Sequence, residues 1–192
     1  YYNGKDLRVA SRNQFTTGEF FRSHDVIERH SEGVKNFYKD MGFTGEIIIT
    51  GELFGQGILD RVKYGSKRFV AFDLIVDGEP QSRGIVLELS NYVPVVFALG
   101  IYRSLEDALD HTESFKSFYT PEGFEGDNFA EGIVISPYEP LTVYDLGRVI
   151  IKKKGKEFLE VADKPRKNKG EVKELDESTK QVLESLSLYA TE

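Results

Sequence analysis

Residues 45–57 read GEIIITGELFGQG, an apolar run that ends on an acid bracketed by glycines. Three consecutive isoleucines, bounded by glycine on both sides, read as a buried β-strand. Glycine in a strand removes the side chain and lets another backbone or a ligand come close. Glu52, at the end of this strand, is therefore either a hydrogen-bond anchor or the rim of a binding site.

Outward from this strand, RFVAFDLIV (68–76) is a second strand, closed by the turn-forming VDGEP (76–80). Val93–Leu99 reads as a buried strand, and AEGIVI (130–135) and GRVIIKKK (147–154) as two more. Upstream, Asn3-Gly4 between β-prone runs predicts a hairpin over residues 1–11. Ile27, Val34, Phe37, Tyr38 and Met41 recur at helical spacing, which predicts a helix from about Phe20 to Met41 stopped by Gly42. A short helix is expected over 82–91, and Ser104 is placed to cap one running to about Phe118. Helices mixed irregularly with strands joined by short turns predict an α+β fold with mainly antiparallel sheets flanked by helices.

The chain has 192 residues with 40% hydrophobic content, which suits one compact domain. We place that domain at 1–160, a basic linker at 161–170, and a C-terminal helix at 171–192 that could open a further helical domain. Without cysteine there is neither a disulfide framework nor a thiolate metal site, and a reducing cytoplasm is permitted. No run reaches membrane-spanning length, so no membrane partner is expected. The net charge of −7 argues against coating nucleic acid by bulk electrostatics, but Lys152, Lys153, Lys154 and Lys156 make a local basic stretch where phosphate could be handled. The first residue is Tyr1, as expected of a chain that begins inside a longer protein.

Alternation assigns faces. Val70, Phe72 and Leu74 share one face of the second strand, and Ala71, Asp73 and Ile75 the other. Glu131 falls on the face of Ile133 and Ile135, where a carboxylate needs a partner. Lys152 and Lys154 share a face and Lys153 points away. Two ammonium groups two residues apart repel unless water screens them or an anion sits between them. Each feature has a plainer reading: Phe72 as core, the lysines as a solvated strand edge, the acids as structural ion pairs.

Their order is more specific. GELFG, FVAFDL, AEGIVI and RVIIKKKGKEF resemble, in sequence order, motifs III, IIIa, IV and V of the RNA ligase 2 family, within the covalent nucleotidyltransferase superfamily. VASRN, near Arg12, resembles the segment that follows motif I. The resemblance runs from residue 1 to about Phe158. It implies a nucleotidyltransferase (ATP-grasp-like) domain of an ATP-dependent RNA ligase, acting with Mg²⁺ or Mn²⁺ on RNA ends or nicked duplex RNA. Such an enzyme joins a 5′-phosphate to a 3′-hydroxyl through lysyl-AMP and RNA-adenylate.

The resemblance further implies that Phe72 stacks on adenine, that Glu52 contacts ribose with its glycines admitting the nucleotide, and that Lys152 and Lys154 engage the adenylate phosphate. Glu131 and Glu52 would serve the metal through water, Arg12 would touch the ribose or the RNA end, and Asp73 would be a functional acid. The expected setting is cytoplasmic, or the host cytoplasm for a phage-encoded enzyme. The nucleophile motif K-x-[DH]-G of the family is missing from the chain and is expected upstream. Two other readings stay open: a non-catalytic nucleotide- or RNA-binding module, and the adenylation domain of a DNA ligase.

Overall fold

The computed structural model of the chain describes residues 1–159 apart from 12–14, 17–20, 22, 59–60 and 146. Arg12, the 161–170 linker and the 171–192 helix therefore lie outside the described residues.

The N-terminal hairpin forms as the Asn-Gly signal predicts. Asn3 Oδ1 accepts the backbone N–H groups of Lys5 and Asp6, at 3.0 and 2.7 Å, and Gly4 takes the turn at φ +86. Tyr2 then exchanges both backbone hydrogen bonds with Ile47, at 2.9 and 2.8 Å, which pins the hairpin to the sheet. The helix expected over 20–41 is instead two helices, α1 (Ser23–Glu28) and α2 (Ser31–Asp40). A turn at Arg29–His30, in which the His30 N–H donates to Ile27 O at 2.8 Å, redirects the chain, and Val26 and Val34 are both buried. Gly42 ends α2 as expected: at φ +68, its N–H bonds Lys39 O and the Phe43 N–H bonds Tyr38 O, a Schellman closure. The Tyr38 and Phe43 rings meet at 6.0 Å across it.

Strand β1 (Ile47–Phe54) pairs antiparallel with β2 (Arg68–Val76), which turns through Asp77 and Gly78, both at positive φ, into β3 (Glu79–Pro80). One core joins these strands to α2, to α3 (Arg83–Glu88) and to a 3₁₀ turn at Leu89–Asn91. Phe37, Ile47, Leu74 and Leu89 are completely buried there, each worth roughly 1.5–3 kcal/mol over exposure. Val93–Leu99 is not the buried strand expected. Val95 makes only a parallel bridge to Ala71, and Phe97 is 64% exposed. Pro94 has no N–H to extend a ladder.

Ser104 caps a helix, its Oγ accepting the Asp107 N–H at 3.1 Å, but α4 (Leu105–Leu109) stops well short of Phe118. The following Asp-His-Thr-Glu-Ser run engages its own backbone, with the Ser114 N–H donating to Thr112 Oγ1 at 3.3 Å. Phe115 and Ser117 then pair with Ala130 and Asn128. The last elements are β4 (Gly132–Ile135), β5 (Thr142–Val143), β6 (Gly147–Arg148) and β7 (Ile151–Lys154), with β4 antiparallel to β7 and β5 to β6. The GRVIIKKK segment is thus two short strands rather than one. The described residues form an α+β fold whose multi-residue strand pairings are all antiparallel.

Candidate active site

The glycines beside Glu52 serve the sheet. A Cβ on Gly51 would lie 2.4 Å from the Phe69 ring and 2.5 Å from Val70 O. Gly55, at φ +125, would place one 2.6 Å from Lys67 Cα. Gly51 and Gly55 are glycine because β2 and the segment before it pack against them, whereas a Cβ on Gly57 would meet nothing within 4 Å.

Glu52 itself, opposite Val70 in the ladder, projects to solvent at the end of β1. Although the residue as a whole is exposed, partial burial of its carboxyl comes first in holding it above the ordinary range, followed by repulsion from Glu131, with Lys152 opposing the shift. The Tyr64 hydroxyl reports the same neighbourhood: partial burial, Glu131, Glu52 and Tyr119, in that order, push it up to about 12. Three residues singled out by sequence, separated by as many as 100 positions, thus share one electrostatic environment: Glu52 from β1, Glu131 before β4 and Lys152 from β7.

Glu131 arrives by a departure from alternation. Gly132 sits at φ +148, and a Cβ there would fall 2.1 Å from Lys153 O. Glu131, the residue before β4, is solvent-exposed although Ile133, two residues on, is buried. The Glu131 carbonyl accepts the Gly155 N–H at 2.9 Å, tying the residue to the end of β7. On the other flank, buried Asn128 clasps the Lys63 backbone, accepting its N–H at 2.8 Å and donating to its carbonyl at 2.7 Å. This clasp sets Tyr64, the next residue, near the acids, with its ring 4.6 Å from Phe54.

Alternation does hold along β7. Lys152 and Lys154 are exposed opposite Val134 and Gly132, whereas Lys153 turns the other way. Its ammonium donates to Leu109 O and His111 O at 2.7 and 2.8 Å and pairs with Glu113 at 3.0 Å. Lys153 is a staple for the loop after α4, a role its sequence position did not signal.

On β2, the register against β1 slips between Thr50 and Gly51, which face Asp73 and Ala71, so Phe72 is the extra residue of a bulge. Val70, Ala71, Asp73 and Leu74 are all buried while Phe72 is 37% exposed, so it does not share the buried face of Val70 and Leu74 as alternation expects. Its ring contacts no other ring among the described residues. No hydrogen bond links it to the Glu52, Glu131 and Lys152 group.

Asp73 is 6% exposed, and both of its oxygens are engaged. Oδ1 accepts from Arg83 at 2.9 Å and from Arg148 at 3.0 Å, and Oδ2 accepts a second bond from Arg148. Arg83 also donates to Phe72 O at 2.6 Å, and burial lowers the pKa of both arginines. Arg83 and Arg148 carried no sequence signal, since the latter lies 75 residues from its partner.

Among the described residues no group of three or more acids or histidines could hold a metal ion. Glu52 and Glu131 repel one another electrostatically, and a pair of carboxylates is the donor type through which Mg²⁺ binds while keeping most of its water. No helix among these residues is long and apolar enough to cross a membrane. Comparison with curated proteins returns no match. The model of the RNA ligase family matches residues 1–154, a span that contains Glu52, Phe72, Asp73, Glu131, Lys152 and Lys154. With most of its 192 residues inside that match, the chain belongs to the RNA ligase family.

Proposed function

We propose that the chain is the nucleotidyltransferase domain of an ATP-dependent RNA ligase, holding an adenylate among Phe72, Glu52, Lys152 and Lys154. The observation that carries this reading is the convergence of Glu52, Glu131 and Lys152 in a chain of this family. In the first step a lysine Nζ attacks the α-phosphorus of ATP and pyrophosphate leaves. AMP then passes to an RNA 5′-phosphate, and a 3′-hydroxyl attacks that phosphate and releases AMP.

Each residue has a task suited to its chemistry. Lys152 and Lys154 offset phosphate charge, Glu52 accepts a ribose hydroxyl hydrogen bond, and the open Phe72 ring offers a face to adenine. Glu131, with its raised neighbour Glu52, would hold Mg²⁺ or Mn²⁺ through water, and the bound ion would supply positive charge against the phosphates. Lys152 and Lys154 neutralise charge and do not attack, so the chain, which contains no K-x-[DH]-G, forms no lysyl-AMP by itself.

That missing motif also favours a second reading, a nucleotide- or RNA-binding module without catalysis. One experiment separates the two, because the last step needs no lysine nucleophile: the chain is given a nicked duplex with a pre-adenylated 5′ end and Mg²⁺. The ligase reading expects slow sealing with release of AMP, lost in Glu131→Gln, and faster on RNA than on DNA. Tight binding of the nick with no sealing would establish the binding module, and equal sealing of DNA would establish the DNA ligase reading.

A further inference from the structure

We infer that Phe97 and Phe118 form a stacking platform for unpaired bases of RNA beside the candidate active site, an inference that rests on the ligase reading above. Both rings stand in solvent, 64% and 57% exposed, with centroids 5.3 Å apart. Apolar rings held in water in this way cost free energy unless a partner covers them.

A train of rings leads from them to the acids. Phe97 lies 6.2 Å from Tyr119, Tyr119 lies 4.9 Å from Phe54, and Phe54 lies 4.6 Å from Tyr64. The hydroxyl of Tyr64 is the group that Glu131 and Glu52 perturb. The platform is thus joined to the neighbourhood of the carboxylates through the buried ring of Phe54.

Charge favours nucleic acid as the occupant. Arg68, opposite Phe54 at the start of β2, is exposed, acts electrostatically on Tyr119 and takes part in no ion pair among the described residues. An exposed cation that acts on Tyr119, the ring 6.2 Å from Phe97, suits a strand whose bases stack while its phosphate meets the guanidinium. Such stacking tolerates any base, because every base presents a π-face. The Phe97 and Phe118 rings are inclined at 58° to one another, so each offers its own face and they form no parallel clamp.

The test is fluorescence anisotropy of the chain with a labelled single-stranded RNA and with a blunt RNA duplex, together with AMP binding. Phe97→Leu and Phe118→Leu keep the apolar bulk and remove the stacking face. Each should weaken single-stranded binding by about tenfold, leaving blunt-duplex binding, AMP affinity and the thermal midpoint unchanged, and Phe97→Tyr should restore it. Unchanged single-stranded affinity in both leucine variants would overturn the platform. If sedimentation instead shows a self-associated species that the leucine variants dissolve, the surface belongs to a second copy of the chain. Loss of AMP binding in the unmutated chain, with Phe97-dependent RNA binding intact, would overturn the adenylate reading and leave the platform standing.

Discussion

Replacing Asp73 by Asn removes one charge from the centre of a network and leaves the shape almost unchanged. The side chain is 9% exposed and faces two arginines whose side chains are 26% and 21% exposed. Breaking a buried pair by deleting one partner costs about 3–5 kcal/mol, because the remaining charge is stranded. Here water reaches each guanidinium in part, and the amide oxygen still accepts one bond, so about 2–3 kcal/mol is expected. For a chain of 192 residues that is a fall of about 5–10 °C in thermal midpoint.

The loss should appear in a urea titration followed by circular dichroism, with an unchanged slope. It should couple strongly to Arg148→Met: the double variant should lose about 1–2 kcal/mol less than the sum of the single ones. AMP affinity should fall only modestly at temperatures where the variant is folded, through a looser bulge at Phe72. A variant within about 1 kcal/mol of the parent in stability yet unable to bind AMP would refute this reasoning. It would return Asp73 to the functional acid that the family resemblance implies.

Glu52→Gln should raise stability at neutral pH by less than about 3 °C, since the group keeps solvent contact. The sign follows from its raised folded pKa: its contribution is favourable below the unfolded pKa and is lost as pH rises through the folded one. Thermal melts should therefore show the gain at pH 7 and its disappearance towards pH 4, while AMP binding weakens. Lys152→Ala and Lys154→Ala should each cost about tenfold or more in ATP affinity at constant stability. Lys153→Ala should do the reverse by freeing the loop after α4, and a larger affinity loss at 153 would mean that the register of β7 is misassigned. Gly132→Ala should destabilise by more than about 2 kcal/mol in denaturant titrations, since its Cβ would meet Lys153 O at 2.1 Å; a silent substitution would show that β4 and β7 do not need this close approach.

Features set by a few neighbouring residues were legible from sequence alone. The Asn3-Gly4 turn, the glycine closure of α2 at Gly42, the Asp77-Gly78 turn and the limits of β2 each follow from local backbone preference. The opposed faces of Lys153 and its two neighbours follow from strand alternation, and the family membership from the order of short segments. Tertiary structure decided whatever depended on a distant partner. The bulge at Phe72 exists only in register against β1, and Gly51 is glycine because Phe69 occupies its side-chain space. Gly132 is glycine because Lys153 O, on the paired strand, leaves no room for a side chain. Asp73 meets Arg148 across 75 residues, and Lys153 reaches the carbonyl of Leu109 across 44. No local pattern encodes such contacts: alternation and propensity act over a few residues, whereas a buried carboxylate takes whichever cation the packed chain brings to it.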